Sequence, residues 1–179
     1  AEELRDTLLL LSGNLDFSPG GAHPFPAEAT WTFTQHNPFA AVYDHSRRSV
    51  YLMVQRTRRH PFLALFDAGD PNASTPVRSQ STVPTQALYF LNDPFVHVQA
   101  KAMAARLIKA APEDNARMDL AARELYGRPA GDSDRAVMQD FLTATAANLP
   151  GLTEPERSIE LWAAWLRVLL GTNELLYVD

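Results

Sequence analysis

Residues 153–171 read TEPERSIELWAAWLRVLLG, and they carry the signals of a long amphipathic helix. Thr153 and Glu156 have the spacing of a capping box, in which the two residues satisfy free amides of the first helical turn. Gly171 follows the last apolar residue and is typical of a helix end. Apolar side chains recur at helical spacing along one face, at Ile159, Trp162, Ala163, Leu166, Leu169 and Leu170. The stretch therefore predicts a helix with one buried face.

The same pattern occurs upstream of this helix. Asp93 and Pro94 suit the N-cap and the first position of a helix, because a carboxylate accepts from free amides and proline has no amide to satisfy. Thr82 and Pro84 repeat this arrangement. Further apolar stripes at helical spacing are Leu4, Leu8 and Leu11; Val96, Ala100, Met103, Ala104, Leu107 and Ile108; Met118, Ala121, Ala122 and Leu125; and Val137, Met138, Phe141 and Leu142. We therefore predict a mainly α fold, a bundle of about five helices.

The segments between the helices are predicted to be ordered. Residues 50–55 form a β-branched and aromatic run of strand length that is apolar on both faces, which predicts one short strand or hairpin. Residues 12–49 are expected to form an extended arm, because they contain Pro19, Pro24, Pro26 and Pro38 together with Trp31, Phe33 and Phe39. Residues 56–82 predict a long loop with one turn at 62–66.

Size and composition narrow the class of protein. The 179 residues are expected to form a single domain, with helix and arm at 1–48, strand and loop at 49–82 and the helical bundle at 83–179. The net charge of -5 disfavours a nucleic-acid partner, and no apolar stretch predicts membrane insertion. The absence of cysteine excludes disulfides, thiolate metal sites and covalently attached haem. The chain begins at Ala1 without a secretion signal, so we interpret it as a fragment of a larger protein.

The long loop is the first candidate for a binding site, because long loops in compact domains are usually functional or held by side-chain bonds. Its arginines Arg56, Arg58 and Arg78 could hold a carboxylate, sulfate or phosphate through bidentate hydrogen bonds. The alternative is that the guanidinium groups pair with carboxylates of the chain and fix the loop. The candidate partners are Asp67, Asp70, Asp93 and Asp179.

Two further sets of polar residues are candidates for ligand contacts. Asp67, Asp70 and Asn72 offer oxygen ligands for part of a calcium site, although Asx turns and helix caps would use the same residues. Calcium is thus the one cofactor candidate, and otherwise no cofactor is expected. Gln86 and Asn92 lie in an aromatic-rich segment, as in many carbohydrate sites, although they could equally bond the backbone.

Catalytic signatures were sought without success. The five histidines show no spacing that selects zinc, and the chain has no nucleophile elbow, phosphate-binding glycine loop or dinucleotide fingerprint. We therefore assign no catalytic residue, and whether the domain is an enzyme stays open, with the balance against it.

Several short motifs are similar to those of a planctomycete-specific C-terminal domain of unknown function (domain of unknown function 1553). They are Arg58, Pro61-Phe62, Phe66-Asp67, Asp70-Pro71-Asn72, Arg78, TVPTQAL at 82–88, LNDPFV at 91–96, YGRP at 126–129 and NELLYVD at 173–179. The resemblance covers roughly residues 45–179, with a looser match in the N-terminal arm. It implies an extracytoplasmic location in a large exported protein that also carries cytochrome-c-like domains. It implies no activity.

Two functions from different classes follow. The first is a non-catalytic structural or protein-interaction module, whose partner is another domain of the same polypeptide or a separate protein. The alternative is binding or cleavage of an acidic or sulfated polysaccharide through the arginine-rich loop.

Overall fold

The computed structural model describes residues 1–23, 27–37, 39 and 44–177. Pro24, Pro26 and Pro38 of the predicted arm and the carboxylate of Asp179 lie outside these residues.

Helices dominate the described residues, which confirms the mainly α prediction. The eight α-helices among them are α1 (Glu2–Ser12), α2 (Pro61–Leu65), α3 (Pro84–Asn92), α4 (Pro94–Ala110), α5 (Asp114–Tyr126), α6 (Asp132–Ala146), α7 (Glu154–Leu170) and α8 (Asn173–Leu176). Two short 3-10 helices add Glu28–Thr30 and Ser49–Tyr51. The expected number of about five was too low, partly because α2 and α8 are single turns that apolar periodicity does not reveal.

The predicted strand at residues 50–55 is wrong. A 3-10 turn occupies Ser49–Tyr51, and the following residues are irregular. Leu52 and Met53 are both buried although they are neighbours, whereas Val50 and Val54 are exposed. A strand needs a partner for its backbone groups. In the described part of the chain, strand-like pairing is confined to an isolated bridge between Asp16 and Arg47.

The helix starts that were predicted at Asp93 and Thr153 are confirmed. Asp93 Oδ1 accepts from the Phe95 amide at 2.8 Å at the start of α4. The amide and hydroxyl of Thr153 both donate to Glu156 Oε2, at 3.0 and 2.6 Å, and these bonds lower the pKa of the Glu156 carboxyl. At the end of α5, Gly127 adopts a left-handed conformation with φ 69°. A side chain with a β-carbon is strained in that conformation.

The chain divides into two compact units. The helical unit contains Leu8–Asn14 and Pro84–Asp179. Within it α7 packs mainly against α4 and also contacts α6 and α3. Its buried apolar residues include Phe90, Val96, Ala100, Met103, Ala104, Leu107, Met118, Ala121, Ala122, Met138, Trp162, Leu166 and Leu170. Each fully buried Leu, Met or Phe stabilises the fold by roughly 1.5–3 kcal/mol, so this core provides the main driving force for folding.

One buried polar contact accompanies this core. The Gln99 side chain of α4 is buried, and its Oε1 accepts from Ser12 Oγ at 2.8 Å and from Asn14 Nδ2 at 2.7 Å. The residues that end α1 are thereby attached to α4. Pairing these groups avoids the cost of about 1–3 kcal/mol for each buried polar group left without a partner.

The loop unit contains Ala1–Thr7 and Leu15–Val83. Among its described residues, the buried apolar ones are Leu52, Met53, Phe62 and Leu63. These are few for a segment of this length, so polar contacts must contribute to its order. The prediction that residues 1–179 form a single domain stays a prediction.

None of the described helices combines the length and the apolar character that a membrane span requires.

Two glycines of the loop unit give a matched stability prediction. A β-carbon at Gly20 would lie 2.6 Å from Tyr51 Cδ1 and 2.7 Å from its Cγ, whereas one at Gly69 would have no described heavy atom within 4 Å. We expect Gly20→Ala to lower the free energy of unfolding by about 1–3 kcal/mol through this overlap. Gly69→Ala should leave it unchanged or raise it by up to about 1 kcal/mol, because alanine restricts the unfolded chain.

Urea denaturation of both variants and of the unchanged protein measures these differences. Equal stabilities for the two variants would show that the Tyr51 ring moves aside at no cost.

Candidate functional site

The loop unit is organised around two polar residues of α1. Arg5 is buried and donates to the carbonyl of Arg47 at 3.2 Å, to Ser49 Oγ at 3.3 Å and to the carbonyl of His45. Asp6 Oδ1 accepts from the amide and the hydroxyl of Ser49, both at 2.7 Å. These bonds hold residues 45–49 against the helix.

This anchor was not predicted, because the apolar stripe of α1 indicates only which residues of the helix are apolar. Arg5 directly follows Leu4 and precedes Leu8 and Leu9 at helical spacing. A charged residue within the apolar sector of a short helix was the available signal.

Asp67 terminates the turn that follows α2. It has a left-handed backbone conformation with φ 58°, which non-glycine residues adopt uncommonly. Its Oδ2 accepts from the amide and the hydroxyl of Ser81, both at 2.7 Å. The Ser81 hydrogen bonds hold the pKa of the Asp67 carboxyl below its usual range. Asp67 therefore closes the segment between residues 67 and 81 through its hydrogen bonds with Ser81.

Asp70 and Asn72 form a second contact inside the loop. Asp70 Oδ1 accepts from the Asn72 amide at 2.9 Å, the geometry of an Asx turn. Asp70 Oδ2 lies 3.1 Å from Arg59 Nη2, and Asn72 Nδ2 donates to the carbonyl of Arg56 at 3.2 Å. The hydrogen bond from Asn72 and the Arg59 pair lower the pKa of Asp70.

Arg78 pairs with a carboxylate that the sequence analysis did not name. Its Nη1 lies 2.6 Å from Glu2 Oε2 at the start of α1. The pKa of Glu2 is lowered by the Arg78 pair against the opposing effect of burial. Arg56 and Arg58 are exposed on the same loop.

The remaining candidates lie in the helical unit. Gln86 and Asn92 are on α3, and Asn92 Nδ2 donates to the Leu88 carbonyl of the same helix at 3.0 Å. The structure therefore groups Asp67, Asp70 and Asn72 within one loop, and it places Gln86 and Asn92 in the other unit. Their roles as ligand-binding residues stay predictions.

A calcium ion would meet an unfavourable environment in this loop. Oδ2 of Asp67 already accepts two hydrogen bonds from Ser81, and the guanidinium group of Arg59 faces Asp70. A positive charge at this distance opposes a bound cation. Among the described residues, no group of three or more His, Asp or Glu side chains could hold a metal ion.

A small cavity lies beside the loop. Its volume is about 50 Å³, and its wall includes Glu2, Arg59, His60, Ala64 and Ala68. The sequence analysis noted His60 as one of five isolated histidines and assigned it no role. In the sequence, a special role for His60 was indicated only by its position just before the turn predicted at residues 62–66 of the long loop.

The motif YGRP at 126–129 joins three helices of the helical unit. Arg128 forms a bidentate pair with Glu174 of α8, at 2.5 and 2.9 Å, and its Nη1 lies 2.7 Å from Asp134 Oδ2 of α6. Hydrogen bonds from Arg128 lower the pKa values of Glu174 and Asp134. Tyr126 Oη donates to the Leu169 carbonyl at 3.1 Å. The motif thus has a structural explanation.

A buried arginine forms a similar cluster at the start of α5. Arg117 Nε donates to the Ala111 carbonyl at 2.9 Å, and its Nη1 lies 2.7 Å from Asp114 Oδ1. The indole of Trp162 donates to the same Asp114 oxygen at 2.9 Å, and the guanidinium carbon lies 4.7 Å from the Trp162 ring centroid. Burial lowers the pKa of Arg117, and the negative charge of Asp114 opposes this shift.

The fold and these contacts define a helical domain in which paired charges fix the irregular segments. Residues 1–142 match PSD1, a family described as a protein of unknown function (DUF1553), and the chain belongs to this family. The match includes the N-terminal arm, where the motif resemblance was looser. No curated protein and no solved structure matches the chain.

The Asp67 contact predicts an acid-sensitive loop. Because the folded-state pKa of Asp67 is lowered, its contribution to stability is present above the unfolded pKa of about 3.9. It is lost as the pH falls through the folded-state pKa. We expect Asp67→Asn to lower the unfolding temperature at neutral pH, and the difference from the unchanged protein should shrink below about pH 4.

Thermal unfolding between neutral pH and about pH 3 measures this difference. In a Ser81→Ala background, which lacks the hydroxyl donor, the effect of Asp67→Asn should be smaller. A difference that is the same at every pH would exclude ionisation of Asp67 as its cause.

Tyr126 provides a test of the α5–α8 connection. Its hydroxyl lies 3.1 Å from the Leu169 carbonyl and 3.0 Å from Thr172 Oγ1, and burial raises the pKa of Tyr126, which keeps the donor proton in place. We expect Tyr126→Phe to lower the free energy of unfolding by about 1 kcal/mol. Urea denaturation measures the change. An unchanged free energy of unfolding would contradict a structural role of the Tyr126 hydroxyl.

Proposed function

We propose that this chain is a non-catalytic structural or protein-interaction module. One observation carries the proposal: Arg59, Asp67, Asp70 and Arg78 of the long loop are engaged by groups of the chain itself. Asp67 holds Ser81, Asp70 faces Arg59 and Arg78 pairs with Glu2. Because these groups are paired within the chain, they hold the loop in one shape and are not available for a reaction. A surface of fixed shape is suited to recognition by another protein.

The proposal includes a setting for the module. It is a C-terminal domain of a large exported protein that also carries cytochrome-c-like domains, and it lies outside the cytoplasm. This setting rests on the resemblance of the motifs to the family alone. The partner is another domain of the same polypeptide or a separate protein.

A cross-linking experiment in native extract tests the interaction role. The parent protein is cross-linked, digested and analysed for peptides joined to residues 1–177. Recovery of links to one reproducible surface of a neighbouring domain or protein supports the proposal. A parent protein that lacks this domain but keeps its stability, its export and its associations would exclude the proposal.

Binding of an acidic or sulfated polysaccharide is the alternative. The observation that favours it is the exposure of Arg56 and Arg58 on the loop, since exposed guanidinium groups can form bidentate bonds to sulfate and carboxylate oxygens. The polysaccharide would bind Arg56 and Arg58 directly. Arg78 would either leave Glu2 to bind the polysaccharide or contact Glu2 and the polysaccharide together.

Two arginine substitutions separate the functions. Arg78 and Glu2 are partly exposed, so Arg78→Ala should lower the free energy of unfolding only slightly. Arg56→Ala should leave the free energy of unfolding unchanged. Under the structural function, neither variant nor the unchanged protein binds sulfated oligosaccharides in a calorimetric titration at low salt.

Glu2→Gln supplies the control for this comparison. If Arg78 acts through Glu2, the double variant Glu2→Gln/Arg78→Ala should lose less stability than the sum of the losses in the two single variants. Salt-sensitive binding to a sulfated oligosaccharide that Arg56→Ala abolishes without a change in stability would favour the polysaccharide function instead.

A further inference from the structure

The N-terminal arm carries three neighbouring aromatic rings, which we call the aromatic row: Trp31, Phe33 and Phe39. The ring centroids of Trp31 and Phe33 lie 5.1 Å apart, and those of Phe33 and Phe39 lie 5.4 Å apart. Trp31 is 44% exposed, whereas the other two tryptophans, Trp162 and Trp165, are buried. The row therefore offers a flat apolar surface to a ligand at its Trp31 end.

A hydrogen bond joins the aromatic row to the arginines of the long loop. Thr57 Oγ1 donates to the Phe39 carbonyl at 2.9 Å. Thr57 lies between Arg56 and Arg58 in the sequence, and all three residues are exposed. Within the part of the chain that the structure describes, Arg56 forms no ion pair. The aromatic row and these arginines are thus neighbours in the loop unit.

The two ends of this surface differ in charge. A 3-10 turn at Glu28–Thr30 directly precedes Trp31, and the Trp31 amide donates to the Glu28 carbonyl at 3.0 Å. The Glu28 side chain is exposed, so a negative charge accompanies the Trp31 end, whereas Arg56 and Arg58 make the other end positive. A ligand that fits both ends has an uncharged part at Trp31 and an anionic group at the arginines.

A sugar ring suits the uncharged end. The face of an indole ring is electron-rich, and it attracts the C–H groups that one face of a sugar ring presents. Thr32 and Gln35 are exposed close to Trp31 in the sequence. Their hydroxyl and amide groups both donate and accept hydrogen bonds, as sugar hydroxyls do. At the other end, a guanidinium group binds sulfate or carboxylate through paired hydrogen bonds.

The charge difference also separates a polysaccharide from a single-stranded nucleic acid, which can stack its bases on aromatic rings as well. A nucleic acid carries a phosphate at every nucleotide, so phosphates would lie near Glu28 as well as near Arg56. The net charge of -5 opposes such a dense polyanion. A polysaccharide that is charged only on some of its sugars avoids this repulsion.

We propose that the aromatic row and the neighbouring arginines bind a polysaccharide in which charged and uncharged sugars alternate. An uncharged sugar stacks on Trp31, and a sulfate or carboxylate farther along the same polymer binds Arg56 and Arg58. The inference rests on the polysaccharide function that is the alternative above. It deepens that function by adding a subsite for the uncharged sugar.

Two charged probes distinguish the anionic groups. Oligosaccharides of κ-carrageenan alternate a sulfated with an unsulfated sugar, and those of hyaluronan alternate a carboxylated with an uncharged sugar. The 179-residue chain is titrated with each at low salt, and with desulfated κ-carrageenan oligosaccharides as the uncharged control. We expect saturable calorimetric binding of at least one charged probe, and at least tenfold weaker binding of the desulfated form.

Tryptophan fluorescence reports on the Trp31 subsite, because Trp162 and Trp165 are buried. We expect the bound oligosaccharide to change the emission of the unchanged protein and to protect it from quenching by acrylamide. This measurement needs no substitution, so it tests the subsite even if a variant of Trp31 fails to fold.

Three substitutions complete the test. Trp31→Leu keeps an apolar side chain without the ring, and Arg56→Ala removes one positive charge. We expect each to lower the affinity for the charged oligosaccharide at least tenfold. Lys109→Ala removes the same charge from an exposed position on α4, in the helical unit, and should leave the affinity unchanged.

The outcomes separate this inference from the function on which it rests. Binding that Arg56→Ala abolishes but Trp31→Leu leaves unchanged, without any change in tryptophan emission, overturns the Trp31 subsite and keeps the arginine-based polysaccharide function. An absence of binding to either charged probe overturns both. Tighter binding of an oligothymidylate of similar length overturns the inference as well, because the surface is then a nucleic-acid site.

Discussion

The contact between α4 and α7 is the interaction on which the helical unit depends. Both helices are about five turns long and present small and large apolar residues alternately, with Ala104 and Leu107 on one helix and Trp162 and Leu166 on the other almost fully buried. Small residues allow close approach of the two helices, and large residues fill the space between the turns. The Arg117 cluster then covers the polar edge of Trp162, so the indole nitrogen is buried without the cost of an unpaired donor.

The loop unit is held by a different kind of interaction. It buries few apolar side chains, and much of its order comes from side chains that bond to the backbone. Arg5 and Asp6 together satisfy groups of residues 45–49 that no sheet satisfies in the described structure. An arginine suits this task, because its several donors reach different carbonyls from one fixed plane. Apolar packing therefore orders the helical unit, whereas hydrogen bonds from side chains provide much of the order of the loop unit.

The success of the sequence analysis follows this division. Helix type and ends were predictable at α4, α5 and α7, because caps at Asp93, Gly127 and Thr153 are local signals. The strand at residues 50–55 was predicted wrongly, since a short apolar run of β-branched and aromatic residues does not supply a partner strand. The Glu2–Arg78 pair could not be predicted, because charge alone does not specify which of several carboxylates a distant arginine meets. The cavity at His60 likewise depends on residues brought together only by folding.

The loop from α2 to α3 has consequences for local stability. Its described contacts at Asp67, Asp70 and Arg78 are exposed pairs and turn bonds, each worth little individually. Regions held in this way open at a free-energy cost well below that of global unfolding, and their amide hydrogens exchange sooner than those of core helices. The domain therefore combines a cooperative helical core with a segment that can exchange conformations on its own, before α4 and α7 separate.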